Sequence, residues 1–364
     1  MKTGFIAITL LLALAACGSN AGDAENEAGQ AMAEDNSMLE DVQIVNNEAS
    51  RQIDVTVDGQ PFTSWCYWEK LKKPVLYPLR ADDGRVVTRS YPEKFVPGER
   101  VDHPHQLSCW FNYGDVNGDD FWGNSDSVDQ TKGHFGVIIQ RSVDNVTSGK
   151  GEGHIEVSMD WVGSAGLPLL KEHDLVYFRA RPGLRIIDRV MTLTAQEQKV
   201  VFNDTKEGAF GIRVTRSLEE PSTEPLKYVD ERGEVTEVAK LDNTGVKGSY
   251  LSSEGKVDEK EVWASRAKWC ILRGPVDNKE VTIGVFDHPK NVGYPTYWHA
   301  RGYGLFAANP FGWKTFTNGA EELQFTLAPG ESTTLRYRIL IASSSLDKEA
   351  TDKLYDTWLK EIGE

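Results

Sequence analysis

The sequence predicts an all-β fold: a large antiparallel β-sandwich followed by a C-terminal amphipathic helix. From residue 50 to residue 345, short β-branched runs alternate with turns rich in Gly, Pro and Asp. Many short strands separated in this way are typical of sandwiches and barrels. No long helical period appears before the end of the chain, and no fixed repeat of the propeller kind is present. We therefore predict one β domain over residues 50–345.

Alternating residues predict the individual strands and hairpins. Residues 53–57 (IDVTV) alternate apolar and polar side chains with a period of two, and they end at the turn pair Asp58-Gly59. Pro182-Gly183 and Pro329-Gly330 each separate two β-like runs, which predicts two more hairpins. Those hairpins cover residues 175–194 and 323–341.

Residues 346–364 predict a helix that packs on the sandwich. Apolar side chains recur there every four residues, at Leu346, Ala350, Leu354, Trp358 and Ile362. This spacing places them on one face of an α-helix, which is the face that a globular fold buries.

The first 16 residues predict a lipoprotein signal peptide. Lys2 precedes an apolar run over residues 5–16, which is too short to cross a bilayer of ~30 Å. Cys17 follows Leu-Ala-Ala and resembles the bacterial lipobox, in which the cysteine thiol is acylated and becomes the new N-terminus. We expect lipidation at Cys17 and a location outside the cytoplasm. An ordinary cleaved signal with an incidental cysteine is the alternative.

Residues 17–49 predict an acidic, disordered linker. Eight acidic residues and no Lys or Arg lie between Gly18 and Glu48, and such a segment buries too little apolar surface to fold. Gly18 directly after the cysteine favours the outer membrane, by resemblance to Gram-negative lipoproteins. The chain has a formal net charge of -15, which disfavours nucleic acid as a partner. We expect membrane contact through the lipid only, and no protein partner is indicated.

Three further cysteines, Cys66, Cys109 and Cys270, match no zinc-binding spacing. We expect buried, unpaired thiols. A disulfide between Cys66 and Cys109 is the alternative, since an oxidising periplasm allows it.

The segment Asp102-His103-Pro104-His105 is the first of four short polar segments with groups suited to catalysis. In an extended backbone, His103 and His105 point to the same side, and two imidazoles on one face can share acid–base work. We predict both as catalytic residues and Trp110 as a substrate-binding residue. A hydrogen-bonded pair in a turn is one alternative. A metal site completed by a ligand such as His299 or Asp287 is another.

The other three segments are residues 204–208, 287–289 and 298–304. In the first, Glu207 is predicted to be catalytic and Lys206 to bind substrate by stabilising negative charge. A solvated turn is the alternative.

In the segment 298–304, alternation places His299, Arg301 and Tyr303 on one face and Trp298 on the other. An imidazole, a guanidinium and a phenol together suit a sugar or a carboxylate. We predict His299 as catalytic and Arg301, Tyr303, Asp287 and His288 as substrate-binding. An aromatic core strand with a polar edge is the alternative.

The same segments resemble a bacterial family labelled PmoA-like, or methane-oxygenase-like, which is a domain of unknown function. The resemblance covers residues 74–341 and rests on stretches in this order: 73–79 (KPVLYPL), 102–105 (DHPH), 114–118 (GDVNG), 206–208 (KEG), 287–289 (DHP) and 298–306 (WHARGYGLF). The methane monooxygenase subunit is an integral membrane protein, whereas no apolar run after residue 16 is long enough to cross a bilayer. Family members often accompany carbohydrate-processing proteins. Residues 327–331 and the following strand also resemble the last hairpin of galactose-mutarotase-like β supersandwiches.

These observations favour a lipid-anchored enzyme that cleaves or rearranges a glycoside by His/Glu acid–base chemistry. Hydrolysis, β-elimination and epimerisation all remain open. One alternative is a surface lipoprotein that binds glycans without catalysis, and a second is a metal-dependent oxygenase, as the family label suggests. No cofactor is indicated, and a divalent metal belongs to the second alternative. All of these hypotheses require the polar segments to meet in one pocket.

Overall fold

The structure is a computed structural model that describes Met1 and residues 39–240 and 242–363. The predicted signal peptide, Cys17 and most of the predicted linker lie outside the described residues. The elements below lie in one compact unit, Glu40–Glu364. None of the helices in the described residues is long and apolar enough to cross a membrane.

Strands dominate the described part of the chain. They are β1 (Asp41–Asn47), β2 (Gln52–Val57), β3 (Gln60–Cys66), β4 (Val75–Leu76), β5 (Cys109–Tyr113), β6 (Val137–Thr147), β7 (Gly149–Lys150), β8 (Glu152–Val162), β9 (Pro168–Arg181), β10 (Leu184–Ala195), β11 (Val200–Val201), β12 (Gly208–Arg213), β13 (Leu226–Val229), β14 (Val235–Val238), β15 (Ser249–Ser252), β16 (Trp269–Val276), β17 (Lys279–Asp287), β18 (Tyr297–Arg301), β19 (Leu305–Asn309), β20 (Thr326–Leu327) and β21 (Ser332–Ala342). The α-helices are α1 (Asp258–Val262), α2 (Trp313–Phe316) and α3 (Lys348–Glu361).

Two large antiparallel sheets form the body. The nine-stranded sheet has the order β18-β19-β12-β5-β4-β3-β2-β1-β7, and the eight-stranded sheet has the order β15-β16-β17-β21-β10-β9-β8-β6. Two small ribbons, β11-β20 and β13-β14, accompany them. The predicted all-β fold with a C-terminal helix is confirmed.

The main core lies between the two sheets. Alternate residues of each strand point inward, as in β8, where buried and half-buried residues follow each other along the strand. Phe62 of β3 meets Phe178 of β9 edge-on at 6.3 Å, and Phe210 of β12 stacks on Tyr337 of β21 at 4.9 Å. These ring pairs join the two sheets face to face, which is the packing of a sandwich.

The three predicted turns are present, but the hairpin predicted around Pro329-Gly330 is wrong. Asp58-Gly59 joins β2 to β3, and Pro182-Gly183 joins β9 to β10. The run before Pro329-Gly330 does not pair with the run after it. β20 pairs with β11 and β21 pairs with β10 and β17, because long-range pairing there prevails over the local turn.

The folded part begins earlier than the predicted boundary at residue 50. β1 lies within the segment assigned to the linker, and its Val42 and Ile44 are buried against the core. Glu40 also pairs with Arg185, with 2.5 Å between Oε2 and Nη1. The acidic content of residues 17–49 predicts a disordered linker, but the same segment contains a short alternation of apolar residues that is enough for a strand.

The C-terminal helix packs on the outer face of the eight-stranded sheet. α3 begins after Asp347, whose side chain accepts a hydrogen bond of 2.8 Å from the Ala350 N–H. Its Tyr355 and Trp358 pack around Phe286 of β17, with ring centroids 5.6 and 6.1 Å away. This second, smaller core fixes the helix on the sheet.

The three cysteines of the described part are buried free thiols, as expected. Burial raises the pKa of each thiol, so these groups behave as small apolar side chains.

Candidate functional site

A pocket of about 470 Å³ lies on the outer face of the nine-stranded sheet. It collects side chains from four parts of the chain that are far apart in sequence. They are His103, His105, Gln106, Asp120, Trp122, Gly123, Lys206, Glu207, His299, Arg301 and Tyr303. Seven of the ten predicted catalytic and binding residues are therefore brought together.

Strand order explains why these segments meet. β18, β19, β12 and β5 are consecutive neighbours, and the pocket residues lie on these strands or in the loops beside them. Alternation places His299 and Arg301 on the outer face, while Trp298 points into the main core. The predicted division of faces in residues 298–303 is therefore present.

A glycine makes room for the aromatic wall of the pocket. A Cβ at Gly211 of β12 would come within 2.8 Å of Trp110 and 3.2 Å of Trp122. The two indoles lie 5.2 Å apart over this position. Both indoles are buried, and Trp122 is the one of the two that lines the pocket.

A buried ion cluster holds the histidine segment in place. Asp102 Oδ1 lies 2.6 Å from Arg89 Nη1 and 2.9 Å from Arg213 Nη2, and both guanidinium groups are buried. Burial of Asp102 acts to raise its pKa, but Arg213, His103 and Arg89 prevail and hold the pKa well below the usual value. The cluster thus ties residues 102–106 to β12.

His103 completes this cluster toward the pocket. Its Nδ1 lies 3.4 Å from Asp102 Oδ1, and its ring stacks on Tyr303 at 5.4 Å. The guanidinium group of Arg213 lies over the Tyr303 ring, 4.4 Å from its centroid. His103 is the more exposed of the two segment histidines, and it is the one that a ligand would meet first.

His105 is neutral at ordinary pH. Burial, with the Lys73 ammonium group nearby, lowers the pKa of His105 to about 2. Lys73 Nζ donates a 2.8 Å hydrogen bond to the His105 carbonyl oxygen, and burial lowers the pKa of Lys73 to about 7. A backbone bond from a buried lysine therefore fixes the position of His105.

His299 is also neutral at pH 7, and it is only 2 % exposed. Burial lowers its pKa to about 4, Glu207 opposes the shift, and Lys206 and Arg301 add to it. Within the part of the chain that the structure describes, its Nδ1 has no hydrogen-bond partner. A neutral imidazole with an unpartnered ring nitrogen beside charged groups is suited to accept a proton.

Two carboxyl groups face the same pocket. Glu207 forms an ion pair with Lys206. Its backbone packs closely against Gly114, where a side chain would not fit, since a Cβ at Gly114 would lie 2.7 Å from Glu207 Cβ. Asp120 accepts a 2.8 Å hydrogen bond from the Gly123 N–H. Burial raises the pKa of Asp120, hydrogen bonds from the Gly123 and Trp122 backbone oppose this, and Glu207 adds to it.

Asp120 and Trp122 were missed by sequence reasoning. They belong to residues 119–122 (DDFW), which directly follow the stretch 114–118 that carries part of the family resemblance. An acid pair followed by two aromatics directly after a Gly-rich turn was the signal available.

Arg301 is held by Glu259, whose Oε1 lies 2.8 Å from Arg301 Nε.

Three predicted substrate-binding residues lie outside this pocket. Trp110 is buried and does not line the pocket, as described above. Asp287 is fully buried and accepts hydrogen bonds of 2.8 Å from Asn291 Nδ2 and from the Thr296 N–H, so it positions the loop that leads into β18. Burial raises its pKa to about 7.

His288 lines a different pocket, of about 420 Å³, on the outer face of the eight-stranded sheet. Its ring lies 5.5 Å from Trp358 of α3. Asp287 ends β17 of the eight-stranded sheet and His288 follows it. The candidate site lies on the nine-stranded sheet, so the polar segment 287–289 is separated from the other three in space.

Among residues 39–240 and 242–363, no group of three or more His, Cys, Asp or Glu side chains could hold a metal ion.

A family model described as "Family of unknown function (DUF6807)" matches residues 52–356. The chain belongs to this family. The match contains the whole stretch, residues 74–341, on which the resemblance was based, and its description carries no oxygenase label. No curated protein matches the chain.

Solved structures show a distant similarity of fold. The galactosidase domain of the alpha-galactosidase-sucrose kinase AgaSK has a TM-score of 0.34 and 10% identity, over 83% of this chain and 42% of that one. The GH36 alpha-galactosidase AgaB from Geobacillus stearothermophilus has a TM-score of 0.35 and 9% identity, over 84% and 42%. This chain thus spans about two fifths of either protein.

A galactose mutarotase related enzyme from Lactobacillus acidophilus has a TM-score of 0.28 and 8% identity, over 84% of this chain and 98% of that one. At these values the similarity concerns the fold alone.

The Asp102 cluster predicts a large effect of one substitution on stability. Asp102→Asn leaves two buried guanidinium groups without their carboxylate, and we expect a loss of about 3 kcal/mol in the free energy of unfolding at pH 7. Because the pKa of Asp102 is depressed in the folded state, this stabilisation is complete above the ordinary Asp value of 3.8. It declines progressively as the pH falls from 3.8 toward the much lower folded-state pKa, so it is reduced but not abolished at pH 3. Urea unfolding of both proteins at pH 7 and pH 3 measures the difference.

Glu349→Gln is the control, since it breaks an exposed pair with Lys353 on α3 and should cost less than about 0.5 kcal/mol. Equal stability of Asp102→Asn and the wild type at pH 7 would contradict the role of the cluster.

Proposed function

We propose that the pocket on the nine-stranded sheet binds a carbohydrate and that its side chains cleave or rearrange a glycoside by acid–base chemistry. One observation carries the proposal: His103, Glu207 and His299, from three distant segments, line the same pocket. Proton carriers that converge in a concave site are the feature expected of an active site.

The lining suits a polyhydroxylated ligand. Tyr303, which is half-buried, offers aromatic surface on which the apolar face of a sugar ring can pack, and Trp122, which is only 2 % exposed, forms part of the wall beside it. Around them lie donors, Lys206 and Arg301, and acceptors, Glu207 and the carboxyl group of Asp120. Positive and negative groups are mixed, which fits a neutral sugar with many hydroxyl groups.

The environments of the proton carriers divide their roles. Neutral His299 accepts a proton, with Glu207 beside it as the second candidate base. Asp120, whose pKa is raised, retains a proton more readily than an exposed aspartate and can donate it to a leaving oxygen. Lys206 and Arg301 stabilise negative charge that develops on the sugar oxygens.

The proposal is tested with purified protein and a panel of oligosaccharides and aryl glycosides. Products are followed as reducing ends and as unsaturated sugar. We expect turnover of at least one panel member, and a loss of about 10²-fold or more in kcat/KM for His299→Gln, Glu207→Gln and His103→Ala, since each removes a proton carrier.

His173→Ala is the matched control. His173 is a half-exposed histidine of β9 that pairs with Glu156 of β8, and both strands belong to the eight-stranded sheet, away from the pocket. It should retain full activity. If all three pocket variants also retain full activity, the assignment is wrong. Calorimetric binding without product after long incubation would favour a glycan-binding lipoprotein without catalysis.

We also propose that Cys17 is acylated and that it anchors the protein in the bacterial cell envelope, at the outer membrane. The support is the sequence alone: a short apolar run, Leu-Ala-Ala and then the cysteine. Cells that express the full chain and are fed a labelled fatty acid should yield labelled protein in the membrane fraction. Cys17→Ser should abolish the label. Label that persists in this variant would overturn the proposal.

A further inference from the structure

We infer that the ligand of the pocket is an oligosaccharide of at least two sugar units, because a second pocket adjoins the first and completes a two-part cleft. This inference rests on the proposed function and specifies its substrate class. We name the first cavity the main pocket and the second, of about 220 Å³, the side pocket.

The two pockets share a wall. His105 lines both of them. The first segment of this wall is residues 103–107. Residues 103, 105 and 106 line the main pocket, and residues 104, 105 and 107 line the side pocket. A second segment continues in the same way, because residues 122 and 123 line the main pocket and residues 124–127 line the side pocket. Two separate segments, residues 103–107 and 122–127, thus each extend without a break from the main pocket to the side pocket.

The side pocket is lined by a buried serine. Ser125 is only 8 % exposed, and its Oγ has no hydrogen-bond partner among the described residues. A buried polar atom without a partner is costly. Rotation of the Ser125 side chain about its Cα–Cβ bond would turn Oγ toward the pocket, where a hydroxyl group of a bound sugar would satisfy it.

The remaining lining also suits a neutral sugar unit. Leu71, Val75 and Leu107, with two prolines, supply apolar surface. At the rim, Lys70 pairs with Glu93, and Lys72 Nζ lies 2.6 Å from Asp126 Oδ1. The charges within these two pairs compensate each other, and Lys73, which also lines the side pocket, donates a hydrogen bond to the His105 carbonyl oxygen. The lining thus offers donors and acceptors for hydroxyl groups.

The shared wall places His105 and its neighbour His103 beside the junction of the two cavities. A disaccharide that occupies both pockets would carry its glycosidic oxygen past this wall. The proton carriers of the main pocket would then lie on one side of the bond, and the side pocket would hold the second sugar.

The test compares ligands of different length. Isothermal titration calorimetry is carried out on the wild type with mono-, di- and trisaccharides of glucose, galactose, mannose and xylose. We expect the best disaccharide or trisaccharide to bind at least tenfold more tightly than its constituent monosaccharide. In Ser127→Trp, a bulky ring at an exposed position of the side pocket should remove this gain and leave monosaccharide binding within twofold.

Ser125→Ala, a smaller change, should weaken the longer sugar about three- to tenfold, as expected for one lost hydrogen bond. Ser142→Trp is the matched control, since Ser142 is an exposed serine of β6 outside both pockets, and it should bind every sugar like the wild type.

The outcomes separate this inference from the proposed function. If monosaccharides and longer sugars bind equally, or if Ser127→Trp binds the longer sugar like the wild type, the two-part cleft is wrong and the main pocket stands as a sugar site. If no sugar of the panel binds to the wild type, the proposed function fails and this inference fails with it.

Discussion

The carboxylate of Asp102, held between the buried guanidinium groups of Arg89 and Arg213, is the interaction on which the candidate site depends. Arg213 belongs to β12, and Asp102 begins the segment that carries His103 and His105. Because a buried guanidinium needs a carboxylate or several carbonyl oxygens around it, this pairing fixes a loop to a strand where hydrophobic contacts alone would leave it free to shift. Arg89 adds hydrogen bonds to the carbonyl oxygens of His103 and Gln106, at 2.8 and 3.0 Å.

The sandwich serves as a rigid support for this arrangement. Its inner faces hold the main core, so the outer face of the nine-stranded sheet is available for polar groups. Gly211 and Ala307 have small or no side chains, which leaves room for the pocket on that face, and the indole of Trp122 bounds one side of the pocket. Burial then keeps His105 and His299 neutral, while the Asp102 cluster stays ionised. Opposite protonation behaviour within one pocket follows from these different surroundings.

The sequence was sufficient for the fold class and for the faces of the strands. Period-two alternation predicted β2 and the common face of His299 and Arg301, and the four-residue spacing predicted α3. The pairing of β20 with β11 was not predictable, because local turn residues carry no information about distant partners. For the site, the polar segments identified seven lining residues. The position of Asp287 and His288 on the other sheet depends on strand order, which no single-sequence pattern specifies. The signal for Asp120 was weak, because it was only an acid pair between a Gly-rich turn and two aromatics.

A crystal structure of the protein soaked with a sugar that it binds tests the central claim most directly. The account predicts electron density for a sugar ring between Trp122, Glu207 and His299, with any further unit extending past His105. Density for the sugar only in the pocket beside His288 and Trp358, with the main pocket empty, would contradict it.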